Sequence, residues 1–454
     1  SKDGGTDYAV SIATSAEVLG QAQSYVESPN APVCNNLFAI EPSIFDFAFV
    51  LFAPPFATTL PPIVPVVDNV VQTINTLHDA GARYLLVSNM TNLSLLPVVS
   101  FFKSIGFGDQ APLAQQTTDL FNEQLSTAIN ALCFDVIQLD FFGLQAEVYE
   151  APALYGFTDM VNPCCCPAPG LCAVDNPDCA GSYYWDFGNP AGRAHQLFGD
   201  YTVSVLCAPQ QFAQLGQAAL GSMLAHNFAL QHYLTIPEYT HAQDKHPYFF
   251  LTGGYAPTLL RVTPSYCCQE LKNQSFDIIG GLLYPVCDDL YLGGSYGYTR
   301  SFSKHAHGDN HINMNTFSFF GNFHKERYYI NFLLNGGPLN NSMSRCIELL
   351  DVRRTASGSS SGSQVGVSSA GAYYFLNRNS IQFGPCADIE YNRIKIGGYK
   401  ECDAGSANLC YNTHFWNSVI TGIGLQVQWD HACSGGDFTA HVNLLANKDW
   451  KNHN

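Results

Sequence analysis

From about Pro247 onward, apolar residues alternate with polar residues or glycine, and this period of two constrains the fold more than any other feature. In Leu290–Thr299 the even positions are Leu, Leu, Gly, Tyr and Tyr, and the odd ones are Tyr, Gly, Ser, Gly and Thr. From Ile381 to Tyr391 the odd positions are Ile, Phe, Pro, Ala, Ile and Tyr, set against Gln382, Gly384, Cys386, Asp388 and Glu390. Ile423, Leu425, Val427 and Trp429 alternate with Gly and Gln, and Phe438, Ala440, Val442 and Leu444 alternate with Thr439, His441 and Asn443. Successive side chains of a strand point to opposite faces. A water-soluble sandwich would carry more Lys and Glu on its polar face. Strands of roughly 9–11 residues with one apolar face, and aromatics near their ends at Tyr298, Tyr391 and Trp429, predict an outer-membrane β-barrel over residues 247–454.

Between these strands two stretches read as loops. Lys304–His311 (KHAHGDNH) is hydrophilic, and its histidines suit a solvated loop better than a metal trap. Thr355–Gly371 is Ser/Gly-rich and reads as a flexible loop. Outside the strands no uninterrupted apolar run reaches about 18 residues, so a membrane helix is not expected. The formal charge of −17 argues against nucleic acid as a partner.

The first half has another rhythm. Ser15 to Tyr25 reads as a helix, after a turn and short strand at Gly4–Val10. Asp46–Phe52 is a continuous apolar run, read as a strand buried on both faces and ending at Pro54-Pro55. Val66 to Ala80 has apolar residues at helical spacing, with Gly81 as its stop. Tyr84–Val87 reads as a strand, Leu120–Leu132 as a helix, and Asp135–Asp140 as a strand. This alternation predicts a parallel sheet with helices on both faces over residues 1–206. Pro209 to Leu234 has helical spacing and small, uncharged side chains, so residues 207–246 read as a connecting helix suited to a narrow polar enclosure.

The chain holds 16 cysteines, and Cys164, Cys165, Cys166, Cys172 and Cys179 crowd a Pro/Gly-rich loop. That number points to an oxidising compartment. The five read as disulfide staples of their loop, or as sites of intermolecular cross-linking. No C-x-x-C pair repeats at zinc spacing, so neither metal nor cofactor is expected. No leader peptide is read at Ser1-Lys2-Asp3, which suggests a processed or upstream-extended chain.

Several blocks carry a family resemblance. GGTDYAVSIAT, HDAGARYLLVSNMTNLSLLPVV, FNEQLSTAINAL, FDVIQLDFFGLQAEV, YGFTDMVNPCC and SYYWDFGNPAGRAHQLFGDYTVSVL follow one another in the order of the GDSL (SGNH-hydrolase) esterases, in particular those borne as passengers by autotransporters. GPCADIEYNRIKIGGYKE and TGIGLQVQWDH resemble late strands of autotransporter translocator barrels. The resemblance implies a three-layer α/β SGNH-hydrolase-like domain, then a helix passing through the lumen of an antiparallel autotransporter-like barrel. Roughly nine or ten strands can be read here. It also implies a place in the bacterial outer membrane, displayed at the cell surface, with outer-membrane lipid as neighbour.

The departures from that family bear on catalysis. Its last block delivers Asp-x-x-His, in which the Asp orients the His and the His activates a serine. Here Asp186 is kept and Asn189 stands where the His belongs; a carboxamide has no titratable nitrogen. The oxyanion glycine corresponds to Ser11 or Ile12, and the Gly-x-Asn-Asp block is expected at Ala53–Phe56, where Pro54 lacks an N–H, as does Pro55. The Gly-Asp-Ser-Leu nucleophile block is not read in this sequence. Asp186 also suits a loop-holding or capping role, and His195 and His78 suit packing or surface roles on helices. The expected function is therefore a surface-displayed pseudoenzyme with a binding or envelope role. The alternatives are an active esterase whose nucleophile lies upstream of residue 1, and a cysteine-linked envelope component or homo-oligomer.

Overall fold

Thr14-Ser15-Ala16-Glu17 opens the first helix. The Thr14 N–H donates to Glu17 Oε2 at 2.7 Å, so the acid three residues into the helix occupies a donor left over at its start. The computed structural model describes residues 8–10, 12–28, 35–52, 56–165, 179–235, 246–260, 271–305, 308–378, 380–433 and 436–451. Ser11, Pro54, Pro55, Cys166 and Cys172 lie outside the described residues, as does the expected turn before Tyr8; Tyr8–Val10 itself forms no strand. The chain forms two compact units, one of residues 1–205 with Ile347–Arg354 and Gly405–Ala407, the other of the remainder from Leu206.

In the first unit the order is α1 (Ser15–Val26), β1 (Leu37–Ile40), α2 (Phe45–Phe52), α3 (Val64–Asp79), β2 (Tyr84–Ser88), α4 (Pro97–Ser104), α5 (Ala111–Asn130), β3 (Ile137–Leu139) and α6 (Phe141–Glu150). Strands β1, β2 and β3 form a parallel sheet in that order, Ile40 opposite Val87 and Ser88 opposite Leu139. Gly81 ends α3 at φ 109°, a left-handed conformation natural to glycine, and its N–H donates to His78 O at 2.8 Å.

One expected strand is a helix. Asp46–Phe52 is not β but lies in α2, and the first strand falls earlier, at Leu37–Ile40. The run is apolar enough for either fate. Helical spacing buries Phe47 and Leu51 together and turns Phe49 and Val50 outward. The start of the helix is fixed where Asp46 accepts from Ser15 N–H at 2.7 Å and Ser15 Oγ at 2.8 Å.

Helix α7 (Gly192–Leu234) runs 43 residues, and Pro209 lies inside it, not at its start. The expected separate helix from Pro209 is thus the continuation of one that begins beside Asn189. Proline removes one N–H and crowds the carbonyl four residues back, yet the helix continues through it.

The second unit is an antiparallel sheet: β4 (Tyr248–Leu260), β5 (Leu271–Cys287), β6 (Leu290–His305), β7 (Gly308–Lys325), β8 (Tyr328–Leu349), β9 (Val352–Tyr373), β10 (Leu376–Arg378), β11 (Ile381–Ile396), β12 (Tyr399–Lys400), β13 (Cys410–Tyr411), β14 (His414–Cys433) and β15 (Gly436–Asp449). The pairing path runs β15-β14-β11-β9-β8-β7-β6-β5-β4, with β10 beside β11 and β12 paired with β13 separately. This is a curled sheet whose path ends at β4 and β15.

Both expected loops are strand. The Ser/Gly-rich segment is β9, paired with β11 from Gly362↔Ile396 to Ala372↔Cys386. Its glycines make room: a Cβ at Gly366 would stand 2.3 Å from Met223 Cε of α7. In KHAHGDNH, β6 continues through His305 and β7 begins at Gly308, with Lys304 opposite Asp309. The main strands are 13 to 22 residues long, beyond the expected span.

The unit is inside out. Phe249, Phe319, Ile423 and Leu444 are 84%, 68%, 71% and 74% exposed, while Asn273, Ser301, Thr316, Asn392 and Gln426 are buried. The part of α7 in this unit packs on the polar-lined face. Phe212, Leu215, Ala219 and Met223 contact Ile312, Met314, Ile394 and Trp416. Ser222 Oγ donates to Ser301 Oγ at 2.6 Å, and Gln231 Nε2 donates to Ser368 Oγ at 2.9 Å. An apolar exterior around a polar-lined interior is the arrangement of a membrane barrel. No helix among the described residues is long and apolar enough to cross a membrane.

Candidate functional site

In parallel α/β sheets, ligands collect beyond the carboxyl ends of the strands. Here those ends lead into Glu41–Ile44 after β1, Asn89–Asn92 after β2 and Asp140 after β3. The second and third are already committed to holding the fold. Asn89 Nδ2 donates to Asp140 Oδ1 at 2.7 Å, and Asp140 caps α6 by accepting from Gly143 N–H at 2.8 Å. Asn92 N–H donates to Gln145 Oε1 at 2.7 Å, and Gln145 Nε2 donates to Tyr184 OH at 3.1 Å. Tyr149 OH lies 3.2 Å from Tyr184 OH, and burial pushes the Tyr149 phenol up to about 12.

The first end is where the family-like positions meet. Ser43 Oγ donates to Ala13 O, tying the segment after Ile12 to the turn that follows β1. A Cβ placed on Gly188 would lie 3.5 Å from Ile44 Cδ1, so the Asp186–Asn189 loop rests on the same turn. Ile12 has φ 67°, a backbone state costly for a β-branched residue and easy for glycine. The turn Glu41–Ile44 follows the first strand, and Phe52, just ahead of Ala53–Phe56, ends a helix. The turn contains neither asparagine nor aspartate. The misplaced strand at Asp46–Phe52 hid this turn; the apolar run Leu37–Ile40 ahead of Glu41-Pro42 was the signal.

Asp186 and Asn189 form a closed pair. Asp186 Oδ1 accepts from Gly188 N–H at 2.9 Å and from Asn189 N–H at 2.6 Å, and Oδ2 accepts from Asn189 Nδ2 at 2.8 Å. The carboxylate thus fixes the Asn189 amide at both its backbone and its side-chain nitrogen. Of the first unit's two histidines, His78 stacks on Phe134 with ring centroids 3.6 Å apart, and His195 is exposed on α7. Cys164 bonds Cys179, with Cα atoms 5.6 Å apart, and Cys165 is a buried thiol beside them. The Cys164 N–H donates to Tyr184 O at 3.1 Å and the Cys165 N–H to Trp185 O at 2.9 Å, which ties the cysteine loop to the strand-like run before Asp186.

Residues 269–454 match the autotransporter β-domain family. An uncharacterized protein in the trpE-trpG intergenic region of Pseudomonas putida is 24% identical over 77% of this chain and 59% of its own length. Esterase EstA of Pseudomonas aeruginosa is 24% identical over 76% of this chain and 54% of its own length. The chain thus spans between half and three-fifths of the length of these two relatives. Among solved structures, the translocator domain of the autotransporter NalP from Neisseria meningitidis is 15% identical, with a TM-score of 0.39 over 51% of this chain and 79% of that one. Residues 269–454 are thus an autotransporter β-domain, which places the chain at the bacterial outer membrane and cell surface, and the half ahead of them is similar to GDSL esterases.

Proposed function

We propose that the GDSL-esterase-like domain is displayed at the surface as a non-hydrolysing module with a binding or envelope-structural role. The observation that carries this reading is Asn189, held by Asp186 in the place of the general base. Ester hydrolysis by a serine needs a base poised near neutral pH and donors for the oxyanion. Loss of the base in a serine hydrolase costs on the order of 10^6-fold in turnover. The turn after β1 adds to the case, because it offers no asparagine side chain as an oxyanion donor. Outer-membrane lipid is the proposed neighbour of the apolar face. The exposed thiols Cys133, Cys402 and Cys410 leave room for disulfide-linked neighbours or a homo-oligomer, which non-reducing gels would reveal.

The competing reading, an active esterase, is favoured by the name of its relative EstA. Hydrolysis of p-nitrophenyl acyl esters by the protein purified from its native source, with any sequence that precedes residue 1, separates the two. The expected result is turnover no greater than the buffer rate, with or without a serine-reactive phosphonate. Phosphonate-sensitive turnover would put the esterase first.

A further inference from the structure

Within the second unit, exposed cations gather on the outward face of β11, β14 and β15, toward one end of the sheet. Tyr391, Arg393 and Lys395 of β11 are exposed, and Asn392, Ile394 and Ile396 between them are buried. Arg393 lies over the Phe415 ring of β14 at 4.9 Å, and Lys395 is paired opposite Phe415. Just past β15, Lys451 stands over the Tyr391 ring at 5.7 Å. Lys448 stands over Trp450 at 3.9 Å, and Trp450 Nε1 donates to Thr421 Oγ1 of β14 at 2.8 Å. Side chains two positions apart on a strand are about 7 Å apart, so the four charges share one patch. The chain has only 20 Lys and Arg against a net charge of −17, yet no carboxylate pairs with these four. The Lys and Arg ion pairs among the described residues are those of Lys103, Arg193, Lys325, Arg345 and Arg354. Asp449 turns inward and accepts from Ser418 Oγ at 2.7 Å. On the other side, β9 sets Ser363, Val365 and Val367 opposite Lys395, Arg393 and Tyr391.

The course of α7 tells which end this is. Phe212 and Leu215 share a cluster with Ile312 at the start of β7 and with Ile394 and Trp416, whereas Leu234 O accepts from Asn322 Nδ2, near the end of β7, at 3.0 Å. The helix thus runs from the end that carries the cations toward the other, and the first unit precedes it in the chain. With that unit at the cell surface, the cations meet the outer leaflet. We infer that Arg393, Lys395, Lys448 and Lys451 bind the phosphates of one bis-phosphorylated glycolipid of the lipid A type. Guanidinium and ammonium groups donate to phosphate oxygens, and clustered cations at a membrane boundary favour anionic headgroups. Tyr391, Phe415 and Trp450 lie among them, as aromatic rings do at headgroup level. Toward the middle of the sheet Ile389 and Ile423, both exposed, offer the acyl chains an apolar wall. The choice of leaflet rests on surface display of the first unit, and not on whether that unit hydrolyses esters.

Binding of lipid A to the full chain, refolded in detergent, is followed by native mass spectrometry over a concentration series. Saturation at one lipid per chain is expected. Arg393→Gln, Lys395→Gln, Lys448→Gln and Lys451→Gln together should weaken binding by about 100-fold or more, at about fivefold per cation. Lys325→Gln, whose lysine pairs with Asp289 at the other end of the sheet, should leave it unchanged. Because the fourfold variant could misfold, the parent chain is also given lipid A stripped of its phosphates, and then phosphatidylglycerol. Each should bind about tenfold more weakly, or less well still. Inorganic phosphate at millimolar concentration should not displace lipid A. Cations that merely reach for water at the interface would hold no headgroup; binding would then ignore both phosphate removal and the fourfold substitution, and the inference falls. It falls equally if phosphatidylglycerol matches lipid A or if free phosphate displaces it. Display is read separately, by protease added to intact cells. Digestion of the first unit is expected, and its protection would put the patch at the inner leaflet and overturn the choice of lipid.

Discussion

At Asn189 one functional group decides what the loop can do. Asp186 spends both oxygens on Gly188 and Asn189, three contacts in all. These are charge-assisted bonds, so Asp186→Ala should lower the stability of the first unit by about 1–3 kcal/mol, read by thermal melting. Asn189→Asp would set a second carboxylate where the amide nitrogen now sits 2.8 Å from Asp186 Oδ2. At neutral pH it should destabilise more than Asn189→Ala. The excess should shrink in acid, where a proton shared between two neighbouring carboxyls lets one donate to the other. Equal melting of the two variants at pH 7 would mean that the pair does not hold the loop.

Helix α7 shows how much an element can override local signals. Pro209 lacks the N–H that would donate to Val205 O, yet the helix passes through it. If packing alone carries the helix across this point, Pro209→Ala should stabilise it by up to about 3 kcal/mol and slow amide exchange over the neighbouring turns. Faster exchange in the variant would show that the proline is needed where it stands. Strand β9 makes the same point from the other side. Its Ser/Gly content conceals the alternation, yet Gln364 and Ser368 face inward while Val365 and Val367 face out. Small residues were chosen there by contact with the helix, as at Gly366 against Met223.

On the scale of the whole molecule, the second unit turns its apolar residues outward and keeps hydrogen-bonded polar residues within. That is stable only where hydrocarbon replaces water on the outside. Phe319→Arg, at a position 68% exposed, should therefore cost about 2–4 kcal/mol near the bilayer midplane and sharply reduce folding into lipid vesicles. Phe319→Leu should fold like the parent, judged by heat-modifiable mobility on gels. A neutral Phe319→Arg would contradict a lipid-facing surface.

By itself the sequence determined the class of both halves, because periodicity is a local property. Side chains two apart on a strand, or three and four apart on a helix, share a face whatever lies elsewhere. The alternation of Ile423 to Trp429, the helix ending at Gly81 and the Asp186–Asn189 spacing are all legible from neighbours in the chain. Only the tertiary structure decided what depends on distant partners. Asp46–Phe52 became a helix because one of its faces had a place to pack and Asp46 had Ser15 to bind. Thr355–Gly371 became a strand because β11 and β8 lay on either side of it, with Gly366 facing α7. The turn at Ser43–Ile44 joined Ala13 and Gly188 only once β1 was in place. His232 and His441 are 209 positions apart; no local pattern links them, and only folding sets their nitrogens 3.1 Å from each other.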